Sequence, residues 1–291
     1  MRDAVILVSM GENGIQIFDR RNTRGRAVML QPGPECRGYR SFCSERENIY
    51  IISAFSSEVL RYNMLTGQLC RLCACVGRYP VKILSWNSYL LIACSETDTV
   101  EICGKYGRQS FISHRLGGML NGIAVINEKC FAVCAQERAV YILSLPELRL
   151  LDSFYLEFIP NGITAVDGML LVYGSHRYND GFIATYSAAG DRISCEKTGF
   201  NPVDALMWKD KIIVSCAGEN TLCLHRAKDL RAVKAISLGD MPDKLCLAQN
   251  RLFVGMNYSG RLRIYDTETG ILLCNMPVLK EPSDIGIISF C

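Results

Sequence analysis

Several residues able to do acid–base chemistry recur at one kind of place in this 291-residue chain. They sit in turns that lead into short strands opened by proline: Lys82 in YPVKILSW, Asp204 in NPVDALMW, Asp243 and Lys244 in MPDKLCLA, and Ser283 and Asp284 in EPSDIGIISFC. Asn121 and Asn161 fall at the matching turns MLNGIAV and IPNGITAV. Carboxylates and lysines brought near one point perturb one another's titration, the condition for acid–base catalysis or for gripping a charged ligand. A second set of loops adds Glu12, Asn13, Glu58, Asp98, His176, Arg177, Asp180, Glu219, Asn220 and Asn257. From both sets, Lys82, His176, Arg177, Asp204, Lys244 and Asp284 form the candidate ligand-binding group. The plainer reading is that turns are polar because they are solvated, and Asn, Asp and Gly satisfy turn geometry.

Other motifs carry less. Of the three histidines, only His176 falls in such a loop, beside Arg177 and near Asp180; His114 and His225 belong to outer and third strands. The triplet CRLCAC (Cys70, Cys73, Cys75) has the look of a metal motif, but zinc needs four converging ligands. Strand alternation sends Cys70 to the face opposite Cys73 and Cys75, so no metal or other cofactor is expected. The run DRRNTRGR, Asp19 to Arg26, gathers four arginines that would suit phosphates. It has no interleaved aromatics for base stacking, and a solvated turn is expected rather than a nucleic-acid site. Glycine-rich phosphate loops and Ser-His-Asp spacing are absent.

The elements that must position these residues repeat. VILVSMGENGIQIFD, YIISAFSSEVLRYNMLTG, LLIACSETDTVEI, FAVCAQERAVYIL, LLVYGSHRYNDGFIATY, IIVSCAGENTLCL and LFVGMNYSGRLRIYDTETG each pair an apolar strand with a polar turn and a second strand. Their starts lie near residues 5, 49, 90, 131, 170, 212 and 252, a period that marks propeller blades. Pro-led inner strands follow in YPVKILSW, IPNGITAV, NPVDALMW and MPDKLCLA, with Leu120 in the place of proline in MLNGIAV, and Trp86 and Trp208 fall at the same offset from their prolines. The N-terminus starts at a second strand and residues 281–291 read as an inner strand. The expected fold is therefore all-β: a seven-bladed β-propeller of four-stranded antiparallel blades, one domain over 1–291, with the C-terminal strand completing the N-terminal blade. That closure would remove the open edges.

The unit resembles the YVTN-type repeat, best in LFVGMNYSGRLRIYDTETG, and the chain is similar to the YncE-like, surface-layer-related propellers over nearly its whole length. The resemblance implies a fold more than a reaction, since lactonases and streptogramin lyases share the architecture. A lyase of that kind would want paired histidines with a glutamate on neighbouring blades, a pattern this sequence lacks.

Composition narrows the classes. A formal charge of +3 is small for this length and implies neither nucleic acid nor membrane as partner. The apolar run Ala4 to Met10 is short for a signal peptide, no run is long enough for a transmembrane span, and a cytoplasmic monomer is expected. Fifteen scattered cysteines read as reduced thiols packed in strands. The leading functional expectation is a non-catalytic module presenting its channel-face loops to a protein, peptide or small polar ligand. The alternative is a small lactonase-like hydrolase or lyase at that face. Replacing Asp204 and Asp284 together by Asn is expected to abolish binding or activity and to leave the melting temperature nearly unchanged.

Overall fold

A computed structural model describes residues 4–11, 14–19, 28–30, 38–75, 77–106, 110–177 and 179–290. Glu12, Asn13, most of the arginine run from Asp19 to Arg26, Cys36 and Cys291 lie outside the described residues. Every described strand belongs to a four-stranded antiparallel sheet.

Six sheets are built from consecutive strands. The first comprises β4 (Tyr39–Glu45), β5 (Asn48–Ser53), β6 (Glu58–Asn63) and β7 (Gln68–Ala74). The next holds β8 (Pro80–Trp86), β9 (Tyr89–Cys94), β10 (Thr99–Gly104) and the short β11 (Ser110–Ile112). It is followed by β12 (Leu120–Ile126), β13 (Lys129–Cys134), β14 (Ala139–Ser144) and β15 (Leu150–Tyr155). Then come β16 (Ile159–Val166), β17 (Met169–Ser175), β18 (Phe182–Tyr186) and β19 (Arg192–Lys197). β20 (Pro202–Trp208), β21 (Lys211–Cys216), β22 (Thr221–Arg226) and β23 (Ala232–Ser237) form another sheet. The last consecutive set is β24 (Pro242–Ala248), β25 (Arg251–Met256), β26 (Arg261–Asp266) and β27 (Leu272–Pro277).

A further sheet joins the two ends of the chain, in the order β28 (Asp284–Phe290), β1 (Ala4–Gly11), β2 (Gly14–Asp19), β3 (Val28–Leu30). β28 and β1 pair from Ala4↔Phe290 to Met10↔Asp284. The first strands of the sheets touch in a closed circle, β28 to β4, β8, β12, β16, β20, β24 and back to β28. This ring makes the fold a β-propeller, and the sheets are numbered from the end-joining one as blades one to seven.

Burial follows from that geometry. Second strands such as β5, β9, β13, β21 and β25 are covered on both faces by neighbouring blades, so five successive residues in each are buried. Their near-continuous Ile, Leu, Val, Ala and Cys content is the sequence form of that environment. Outer strands β15, β19, β23 and β27 have a neighbour on one edge only and stay largely exposed.

Two local irregularities recur. A residue with positive φ precedes the inner strand at Gly38, Tyr79, Met119, Asn201 and Glu281, fixing the turn from the preceding blade. A register shift then follows after Tyr39, Pro80, Leu120, Pro160, Pro202 and Pro242. A bulge re-aims side chains, and here consecutive residues of an inner strand both face the central cavity.

A bulge also corrects one expectation. In β7 the register shifts between Val59↔Cys73 and Leu60↔Arg71, so that Arg61 pairs with Cys70. Leu72 is the extra residue. Val59 and Arg61 share a face, so Cys70 lies on the same face as Cys73 rather than the opposite one, because the bulge breaks simple alternation. Arg61 Nη2 donates to Cys70 Sγ at 3.6 Å. Among the described residues no group of three or more His, Cys, Asp or Glu is arranged to hold a metal.

Candidate functional site at the channel mouth

All seven inner strands line one central cavity of about 870 Å³. The residue two positions after the leading proline of each inner strand, or after Tyr39 and Leu120 that stand in its place, gives the ring its character. In blade order these residues are Asp284, Ser41, Lys82, Gly122, Gly162, Asp204 and Lys244, and they line the cavity together. Acidic and basic groups thus occupy blades six, seven, one and three, while blades four and five present glycines flanked by Asn121 and Asn161. Lys82, Asp204, Lys244 and Asp284 are brought to one concavity.

The carboxylates are not free. Asp204 Oδ2 accepts the backbone N–H of Leu245 at 2.8 Å, in the next blade, and Oδ1 accepts the N–H of Ala205 at 2.9 Å. Asp284 does the same between blades one and two. Its Oδ2 accepts Ser41 Oγ–H at 2.9 Å and the Phe42 N–H at 3.2 Å, and its Oδ1 accepts the Ile285 N–H at 3.0 Å. The asparagines brace in the opposite sense, donating: Asn121 Nδ2 to the Pro160 carbonyl at 3.0 Å and Asn161 Nδ2 to the Pro202 carbonyl at 2.8 Å. Two adjacent side-chain positions near the head of the inner strand, the aspartate position and the asparagine position just before it, therefore tie these blades to their successors. Such ties satisfy backbone groups that have no ladder partner at the channel wall.

The lysines differ from one another. Lys244 Nζ lies 3.3 Å from Asp243 Oδ1. Burial works against its charge, but Asp243, Asp204 and Asp284 together outweigh burial and hold the ammonium above its ordinary range. Asp243 is itself fixed by Asn257 Nδ2 at 3.0 Å. Lys82 Nζ has no hydrogen-bond or ion-pair partner among the described residues, although it lines the same cavity. Near it, Arg40 spends one nitrogen on Tyr79 Oη at 2.6 Å and keeps the rest exposed. Desolvation raises the Asp204 carboxyl, and Lys244 offsets part of that rise.

Sequence reading missed Tyr173. It sits on β17, is 7% exposed, and its Oη reaches Asp204 Oδ1 at 3.5 Å. Burial, followed by the nearby Asp204 and Asp243 charges, pushes its hydroxyl well up. The signal for it is Gly162: a Cβ there would lie 2.3 Å from Tyr173 Oη, so only glycine leaves the ring its place.

His176 and Arg177 stand apart. Both are exposed in the turn after β17, outside the cavity lining. Asp180 Oδ1 accepts the His176 N–H at 2.8 Å and the Arg177 N–H at 3.0 Å, which shapes that turn, and the His176 ring meets Phe182 edge-on at 4.5 Å. His225 is buried in β22, with Nδ1 bonded to the Leu230 carbonyl at 2.7 Å and Nε2 to Thr198 Oγ1 at 3.0 Å.

No family model matches this chain, and no curated protein does. The YVTN-type resemblance therefore rests on the quoted motifs, whereas solved structures do align. A chain of hydrazine synthase from Kuenenia stuttgartiensis superposes with a TM-score of 0.75 at 12% identity, over 88% of this chain and 91% of that one. Apo AztD from Citrobacter koseri gives 0.69 at 10% identity, covering 99% and 98%. Virginiamycin B lyase from Staphylococcus aureus gives 0.71 at 11% identity, covering 84% and 86%. At these identities the likeness is one of fold, and the fold this chain shares with them is the β-propeller.

Proposed function

We propose that this propeller is a binding module that takes a small polar ligand bearing an anionic group at the channel mouth. The observation that carries the reading is the division of labour around the ring. Asp204 and Asp284 are engaged by the backbone of the next blade, and Lys244 is engaged by Asp243. Lys82 and the outer nitrogens of Arg40 remain unspent in the same cavity. An unpaired cation in a concavity walled by protein favours a counter-charge from solution.

The second reading, a lactonase-like hydrolase or a lyase, draws on the fold shared with virginiamycin B lyase. It asks for an acid and a base free to meet substrate at a common point. The braced carboxylates and the remote His176 favour binding over that chemistry.

A thermal-shift screen of small mono- and dicarboxylic acids, amino acids and sugar acids tests the reading on wild type and Lys82→Met. At least one anionic compound is expected to raise the wild-type melting temperature and to lose its effect in Lys82→Met. A screen with no hit, or a hit that Lys82→Met binds equally well, defeats it. Turnover of a lactone panel that depends on Asp204 would favour the enzyme instead.

A further inference from the structure

Between blades two and three, away from the channel, lies a group of thiols. Cys73 on β7 and Cys103 on β10 approach with their Sγ atoms 3.6 Å apart, although 30 positions separate them in sequence. They are not partners in any ladder: Cys73 pairs with Val59 within blade two, and Cys103 pairs with Leu90 within blade three. Contact between them arises only because the two blades pack face to face, in a cluster with Tyr50, Ile52, Val59 and Ile83. The Leu72 bulge sets the position of Cys73 in that interface. Cys73 is half-buried and so open to a small reagent, whereas Cys103 is 2% exposed.

We propose that Cys73 and Cys103 form a modification site, a reversible dithiol that a low-molecular-weight disulfide oxidises to a bridge stapling blade two to blade three. The geometry supplies what exchange requires. A sulfur–sulfur bond is about 2.05 Å, so the two atoms need only a modest side-chain rotation from their present separation. Cys73 is the attacking group: it is the accessible one, and the hydrogen bond between the two sulfurs lowers the Cys73 thiol and raises that of Cys103. Its neighbours are poor competitors, since burial raises Cys75 and pushes Cys94 up to about 12.

The steps balance. The Cys73 thiolate attacks one sulfur of the small disulfide, forming a mixed disulfide and expelling one small thiolate. Cys103 gives its proton to solvent and attacks Cys73 Sγ, expelling the second small thiolate. The two protein thiols lose two hydrogens and two electrons, and the small disulfide is reduced to two thiols.

The test is oxidation of the full chain with oxidised glutathione, followed by tryptic mapping without reductant. The expected product joins the peptide Leu72–Arg78 to the peptide Ile83–Lys105. These peptides also carry Cys75 and Cys94, so tandem fragmentation of the wild-type product must place the bridge at Cys73 and Cys103. The double variant Cys75→Ser/Cys94→Ser should form the same bridge. Cys103→Ser should instead retain a glutathione adduct on Cys73. A bridge through Cys75 or Cys94, or unchanged thiols in wild type after oxidation, overturns the proposal.

Discussion

Asp284 accepts a hydrogen bond from Ser41 Oγ at 2.9 Å across 243 positions of sequence. The bond crosses from the inner strand of blade one, the sheet where the chain ends meet, to that of blade two. The same carboxylate holds the backbone N–H groups of Phe42 and Ile285, so it is a structural brace as well as a lining group of the cavity.

Asp284→Ala leaves three donors without their acceptor. Orphaning buried donors costs about 1–3 kcal/mol, and urea denaturation should show a loss of that order. Asp204→Asn should also lower stability, since the amide NH2 would oppose either the Leu245 or the Ala205 N–H. This replaces the expectation of an unchanged melting temperature for the Asp204 and Asp284 pair. A melting curve identical to wild type would deny the brace.

The two channel glycines should part company on substitution. A Cβ at Gly122 meets nothing nearer than Ile163 Cγ2 at 3.6 Å, whereas one at Gly162 meets the Tyr173 ring and hydroxyl between 2.3 and 2.8 Å. Gly122→Ala is expected within about 0.5 kcal/mol of wild type, and Gly162→Ala to cost about 1–3 kcal/mol. A double-mutant cycle with Tyr173→Ala should show strong coupling for Gly162 and none for Gly122.

Lys244 makes a pH prediction. Its folded value lies above the ordinary lysine value, so its contribution to stability is complete below about pH 10.4 and is lost only as pH rises past that toward the folded value. The stability difference between wild type and Lys244→Met should stay flat from about pH 8 to 9.5 and shrink at higher pH. Denaturant midpoints across that range would check it, and a difference that shrinks already near pH 8 would contradict the arrangement of Asp243, Asp204 and Asp284 around this lysine.

Thiol reactivity should sort by burial. Cys274 is exposed, while Cys130 is fully buried and pushed up to about 12. Brief alkylation of the reduced, native protein at pH 8 should label Cys274 and spare Cys130, as read by peptide mass mapping. Labelling of Cys130 before Cys274 would mean that the blade three–four interface opens readily.

By itself the sequence determined the strands, their period and the polar turn before each inner strand. Those features are local: alternation, a proline with no ladder donor to give, and a polar turn are legible over ten residues. It also placed Lys82, Asp204, Lys244 and Asp284 at equivalent turns, which the ring then gathered. Only the tertiary structure decided what each does. Whether Asp204 is a free carboxylate or a brace depends on where the Leu245 N–H of the next blade falls, and no local pattern encodes that. Tyr173 was hidden because its reach to Asp204 depends on the space left by Gly162 in the paired strand. Cys70 changed face, and Cys73 came to meet Cys103, because an extra residue in β7 shifts the alternation and two blades then pack at a fixed stagger. Side-chain partners across blades are set by bulge and ring geometry, which emerge only when the whole circle closes.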